Sequence, residues 1–430
     1  MLAALVACGV SQAVAPATAA TVAATPAGQS ADEFYAAHGD RPIWFGPALN
    51  DPAAARALLD LLRTAEADGL DPRRYDIARI EAALAAAGSG SLAATAAADR
   101  LLSEAFVAFV RDLRRASSAD MMWVDSDLRP MPPAPREMLS ALASSADPVR
   151  FVRQMDWMNP VYGRLRQALV DPSLPPAERA LLRLNLERAR ALPAPTGRYI
   201  LVNAAAARLE MHEDGRMVDS MRVVVGKPAH ATPMLAARIR YTSLNPYWNV
   251  PPDLTAERIA PNVLKEGLSY LKAKGYQVFA SWDEDSPLLD PATVDWAAVA
   301  DGRSEVRIRQ LPGPHNGMGL MKFMFPNRAG IYLHDTPQKE LLSEASRMFS
   351  GGCIRLEDAP RLAQWLYGRP LKPAGSAPEQ RVDLKDDVAV FITYLTAVPE
   401  QGRVAFLPDV YDRDRQALAR LGSAGQFASR

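Results

Sequence analysis

Along the first half of the chain, apolar positions recur at intervals of three and four residues. From Arg56 to Glu66, Leu58, Leu59, Leu62 and Ala65 share one side while Asp60, Arg63 and Glu66 take the other; from Asp99 to Arg115, Leu102, Phe106, Phe109 and Leu113 repeat the spacing. Both segments read as amphipathic helices, because that interval places side chains on one stripe of a helix. The stretches Gly69-Leu70-Asp71-Pro72, Arg129 to Pro135 and Asp171 to Pro176 interrupt the pattern, since proline supplies no N–H to a helix interior. A last helix is predicted from Ala177 to about Leu192, so residues 30–192 are expected to form a helical domain.

After Pro193-Ala194-Pro195-Thr196-Gly197 the pattern changes to short apolar runs. Tyr199 to Asn203, Arg208 to His212 and Met217 to Val225 read as strands, the last two joined by the turn Glu213-Asp214-Gly215-Arg216. Further strands are predicted at Arg238 to Leu244, Glu305 to Arg309, Met321 to Phe325 and Gly330 to His334. Helices are predicted at Thr255 to Lys265, Asp358 to Leu366 and Lys385 to Ala397. The expected fold class is α+β, an all-α N-terminal domain followed by a mixed, mainly β domain over 195–397. Within it, residues 251–315 form an insertion, either a lid or a structural appendage, and residues 398–430 are expected to be a tail.

Composition narrows the function. The 430 residues suit two domains, and with 49 Lys plus Arg against 49 Asp plus Glu nothing advertises nucleic acid or an anionic membrane as a partner. Residues 1–28 begin with a stretch free of charge and carry A-x-A patterns such as Ala17-Thr18-Ala19, which reads as a secretion signal and predicts a periplasmic protein. Leu5-Val6-Ala7-Cys8 is similar to a lipoprotein cleavage box, so peripheral membrane association is expected only if Cys8 is lipidated. The two cysteines are Cys8 and Cys353. An exported protein that keeps one unpaired thiol needs a reason for it, whether chemistry or packing as a small hydrophobe.

The segment Ile331 to Pro337, followed by Phe349-Ser350-Gly351-Gly352-Cys353-Ile354-Arg355-Leu356, supplies the candidate chemistry. A strand ends in His334, and a glycine pair then delivers Cys353. The thiolate is the attacking form of cysteine, and an imidazole that takes its proton raises the reactive fraction at neutral pH. The second imidazole nitrogen needs an acceptor to hold the tautomer, a carboxylate or a main-chain carbonyl. Gly351 and Gly352 allow a tight turn that could aim the N–H groups of Gly352 and Cys353 at a developing oxyanion; as a plain alternative, Ser-Gly-Gly is an ordinary turn.

These residues resemble the L,D-transpeptidase (YkuD-type) catalytic domain, whose usual signature is His-x-x followed by Ser-His-Gly-Cys-x-Arg. The resemblance extends through Tyr199 to Val225, Asn245 to Pro252, and Gly313 to Gly319 leading into Lys322 to Asn327. It is with the large Gram-negative branch, whose scaffold domain the helical half resembles, including Phe34-Tyr35 and Glu66 to Pro72. The resemblance implies peptidoglycan stem peptides, donor and acceptor, as partners, and no cofactor or metal. Cys353 would attack the amide after a diamino-acid residue, expel the terminal D-amino acid and pass the acyl group to a neighbouring amine, with His334 as the base and the main-chain carbonyl of Asp335 as third catalytic element. Acylation of Cys353 by carbapenems is also implied. Two departures stand out: Gly351 occupies the place of the usual second histidine, and only about 30 residues separate scaffold and catalytic parts, where this branch commonly carries a glycan-binding domain.

The catalytic candidates are therefore Cys353, His334, Gly352 and Asp335. The substrate-binding candidates are Arg355, Ser350, Gly351, Tyr332, Tyr247 and Trp248, with bracing of the Cys loop open for Arg355 and a core position open for the two aromatics. His38, His212, His230 and His315 lack metal-ligand spacing. Two other activities remain open: hydrolysis of the same acyl-enzyme, as an L,D-carboxypeptidase or amidase, and a non-catalytic wall-binding scaffold.

Overall fold

The computed structural model describes residues 27–428 apart from 47, 48, 116–118, 284 and 401. The expected secretion signal and Cys8 lie outside the described residues. No helix among them is long and apolar enough to cross a membrane.

The N-terminal half is helical as expected, with helices at Ala53–Arg63, Ile77–Ala87, Leu92–Leu113, Pro135–Ala143, Pro148–Gln154, Pro160–Leu169 and Pro176–Arg190 among its elements. The prolines do more than interrupt: Pro135, Pro148, Pro160 and Pro176 each occupy the first helical position, where the missing N–H would have been unpaired anyway. Asp68 is buried at the domain's centre, where it accepts from Tyr162 Oη at 2.7 Å and pairs with Arg166 Nε at 2.8 Å. A short strand, β1 (Met122–Trp123), leaves this domain to pair in parallel with the large sheet of the second domain.

The large sheet is built from β2 (Arg198–Asn203), β3 (Arg208–Glu213), β4 (Arg216–Gly226) and β5 (Leu235–Leu244), and, after the insertion, from later strands. The insertion holds β6 (Trp248–Val250), β7 (Tyr276–Phe279) and β8 (Arg307–Gln310). Beyond it come β9 (Met321–Met324), β10 (Leu333–His334), β11 (Met348–Ser350), β12 (Ile354–Leu356) and β13 (Gln380–Thr393). The order is β1-β5-β13-β2-β3-β4-β12-β10-β9, and β9 also pairs with β5, so the sheet closes into a ring around an apolar core. The Asp-Gly turn joins β3 and β4 as predicted, with both central residues at positive φ, Asp214 at 46° and Gly215 at 77°.

Two expectations change. Residues 385–397, predicted to be helical, lie mainly in β13, which pairs in parallel with β2 and antiparallel with β5. Val388 to Thr393 are buried on both faces, and such a continuous apolar run has no period to separate it from a buried helix. The residues after 397 form the hairpin β14 (Ala397–Glu400) and β15 (Arg403–Phe406) and a helix, Arg413–Ala428, rather than a trailing tail. That helix ties back to the scaffold through the buried pair Arg188 Nη1 and Asp414 Oδ1 at 2.5 Å, and Tyr411 Oη donates to the Gly226 carbonyl at 2.7 Å.

The insertion has its own small sheet, β6-β8-β7, and its own core, which includes Val250, Ile259, Val263, Trp296 and Ile308. It packs on the Cys353 loop: a Cβ placed on Gly351 would stand 3.0 Å from Leu254 Cδ1.

Candidate active site

β10 and β12 run in parallel, with Leu333 opposite Ile354 and His334 opposite Arg355. Because side chains alternate along a strand, Leu333 and Ile354 point into the core while His334 and Arg355 share the other face. Cys353 immediately precedes β12, and the Ile354 N–H donates to the Tyr332 carbonyl at 3.0 Å, which fixes the register beside the cysteine. The core face of these strands is apolar through Phe323, Leu333, Ile354 and Leu356, so His334 and Arg355 lie on the face turned away from that core.

His334 is buried, and its Nδ1 donates to the main-chain carbonyl of Asp335 at 2.6 Å. A carbonyl accepts only, so Nδ1 carries the proton and Nε2 is left as a bare acceptor. The Asp335 carboxylate does something else: Oδ2 accepts the Leu320 N–H at 2.9 Å and Oδ1 accepts Lys339 Nζ at 2.7 Å. Gly319 is required beside it, since its φ is 63° and a Cβ there would fall 2.4 Å from Asp335 Oδ2.

Cys353 is half-buried as a residue, and its thiol donates to the Gly330 carbonyl at 3.4 Å. Burial pushes its thiol up to about 11, against hydrogen bonding from the Tyr332 main chain and the positive charge of Arg355. Burial, then the nearby Arg355 guanidinium, push His334 down to about 3. Both groups are therefore neutral at neutral pH.

The turn before the cysteine is tied by Ser350, whose hydroxyl donates to the Cys353 carbonyl at 2.6 Å and accepts the Gly352 N–H at 3.1 Å. The expected oxyanion donor at Gly352 is thus already occupied, whereas the Cys353 N–H has no partner among the described residues. Gly352 itself needs to be glycine for its φ of 112°. Thr232 Oγ1 donates to the Gly352 carbonyl at 2.8 Å and completes the loop's support.

The other candidates divide. Arg355 is buried and donates through Nη1 to Gln338 Oε1 at 2.8 Å; burial and the charge of Arg258 lower it to about 10. Tyr332 borders the sulfur, and burial and the charge of Cys353 raise its hydroxyl to about 12. Gly351 lies against Leu254 of the insertion. Tyr247 is half-buried under the Arg309 guanidinium, 4.3 Å from the ring centre, and its N–H donates to Glu379 Oε1, which also pairs with Lys322 opposite His334. Trp248 packs against the insertion core and Gly317. Sequence reasoning did not single out Thr232, Gln338, Lys322 or Glu379, because no local spacing ties them to Cys353.

Residues 197–390 match the L,D-transpeptidase catalytic domain family YkuD, and residues 29–169 match the family described as Scaffold domain. Residues 197–390 are an L,D-transpeptidase catalytic domain. The chain is 28% identical over 400 residues to the Haemophilus influenzae protein named "Putative L,D-transpeptidase", covering 89% of this chain and 78% of that one. Among solved structures, an L,D-transpeptidase from Mycobacterium smegmatis aligns with a TM-score of 0.24 and 14% identity, over 47% of this chain and 60% of that one. An LD transpeptidase in complex with imipenem aligns with a TM-score of 0.23 and 13% identity, over 46% and 58%. The chain spans less than two thirds of either solved chain, and these likenesses carry no further argument.

Proposed function

We propose that the protein is a peptidoglycan L,D-transpeptidase that forms stem-peptide cross-links through a Cys353 acyl-enzyme outside the cytoplasm. What supports this most is the arrangement of two side chains: His334, held by the Asp335 carbonyl with Nε2 bare, on the strand next to the one that Cys353 begins. The thiol and imidazole start neutral, so His334 takes the proton as the sulfur attacks and returns it to the leaving amine of the D-amino acid. The free N–H of Cys353 serves the oxyanion, Ser350 keeps the loop in shape, and Arg355 faces the substrate side of the strand. The acyl group then passes to the side-chain amine of an acceptor stem.

The test is to incubate purified protein with tetrapeptide stem fragments and follow products by mass spectrometry, with Cys353→Ala as the control. Dimers that vanish in the control support the proposal. Shortened monomers without dimers point to hydrolysis instead. No product from either protein, with Cys353 inert to carbapenem, leaves a wall-binding scaffold.

A further inference from the structure

The insertion reaches the nucleophile through one irregular turn. Thr255–Ile259 is a π-helical turn, a form with wider hydrogen bonding that often re-aims side chains at functional sites. It is pinned at its start and at its middle. Before it, Leu254 packs on Gly351; within it, Glu257 accepts Lys227 Nζ at 2.6 Å and contacts His230 Nε2 at 3.0 Å, both from the loop that follows β4. The next residue, Arg258, is exposed, and its guanidinium has no hydrogen bond or ion pair among the described residues, whereas its main-chain carbonyl accepts Asn262 Nδ2 at 2.8 Å.

Arg258 is not remote from the chemistry. Its positive charge acts on Arg355, which shares the strand face with the catalytic candidates and whose own charge acts on Cys353. Arg258 follows Leu254 by four residues, one helical turn, and so shares the side of the insertion that meets the Cys353 loop, while Arg355, buried and braced by Gln338, lies on the strand that Cys353 begins. Glu340 is the acidic side chain whose charge also reaches Arg355, but no ion pair joins it to either guanidinium among the described residues. Like charges brought together without a bridging anion oppose each other, and a carboxylate set between them would relieve this with paired, charge-assisted hydrogen bonds.

Resting on the transpeptidase reading above, we propose that Arg258 is a specificity-determining residue which, with Arg355, receives the free carboxylate of the D-amino acid on the leaving side of the scissile amide. That carboxylate lies one residue beyond the acyl carbon, about 3.5 Å of chain. Arg355 lies two residues beyond the nucleophile along a strand, roughly 7 Å, a span that an arginine side chain and one peptide residue bridge. The donor stem, with its free terminus, is the substrate class the clamp selects, and a stem whose terminus is amidated is discriminated against.

Two donors test this: a tetrapeptide stem with a free terminal carboxylate and the same peptide as its carboxamide. Release of the D-residue is measured for the native protein, Arg258→Ala and Arg258→Lys. Arg258→Ala should raise KM for the carboxylate donor roughly tenfold or more with little change in kcat, leave the carboxamide donor unaffected, and be partly repaired by Arg258→Lys. An equal fractional loss on both donors, or no loss on either, overturns the proposal. Calorimetry on Cys353→Ala, with and without Arg258→Ala, reads binding without turnover. Preference for the carboxylate donor should be present in the single variant and absent in the double. If the native protein turns over neither donor, the catalytic reading fails while calorimetry still judges Arg258; no binding preference in Cys353→Ala overturns the clamp itself.

Discussion

The imidazole of His334 is held by the main-chain carbonyl of its own neighbour, Asp335, at 2.6 Å. No side chain is used for this, which frees the Asp335 carboxylate to fasten Leu320 and Lys339 instead. The imidazole is therefore oriented by a group that side-chain substitution at residue 335 does not remove.

One prediction concerns protonation. With His334 near 3 and Cys353 near 11, the resting pair is neutral across the physiological range. As pH rises, the thiolate fraction grows toward the thiol's raised pKa, so alkylation of Cys353 by iodoacetamide should climb steadily from pH 6 to pH 10 with no inflection at the ordinary imidazole value near 6.5. A plateau already reached at pH 7 would mean a preformed thiolate–imidazolium pair.

The Ser350 hydroxyl joins two main-chain groups of the Cys353 loop and is buried. Ser350→Ala leaves the Cys353 carbonyl and Gly352 N–H without that partner, at a cost of about 1–3 kcal/mol. Thermal unfolding should drop by several degrees and carbapenem acylation of Cys353, followed by intact mass, should slow by roughly tenfold, since a shift of about 1.4 kcal/mol is tenfold in rate.

Gly226, at the end of β4, has no room for a side chain. An added Cβ would stand 2.0 Å from the His230 carbonyl oxygen, 2.8 Å from Thr232 N and 3.1 Å from Gly352 Cα. These are main-chain atoms and cannot turn aside, so Gly226→Ala should destabilise by about 1–3 kcal/mol or more and displace the Cys353 loop. Loss of acylation in the fraction that still folds, checked by mass spectrometry beside a melting curve, is the expected outcome.

The C-terminal helix strap makes a further prediction. Arg188 and Asp414 are both buried, and Thr396 Oγ1 donates to Asp414 as well. Asp414→Ala leaves a buried guanidinium without its counter-charge, a loss of about 3–5 kcal/mol. The denaturation midpoint should fall accordingly, and a change within error of zero would show that the strap does not hold the two halves together.

Local pattern was enough for a good part of this protein. The 3.6-residue spacing of Leu58, Leu62, Phe106 and Phe109 marked the helical half, Asp214-Gly215 marked a hairpin, and the run from His334 to Arg355 marked the candidate site, because each signal lies within one element or one short segment. Tertiary structure alone decided the remainder. Val388 to Thr393 became a strand because β2 and β5 flank it, Thr232 came to the Gly352 carbonyl from 120 residues away, and Leu254 came to the Cys353 loop from an insertion about 100 residues earlier in the chain. Pairing partners and buried polar contacts join residues distant in sequence, and no spacing along the chain records which of them folding will bring together.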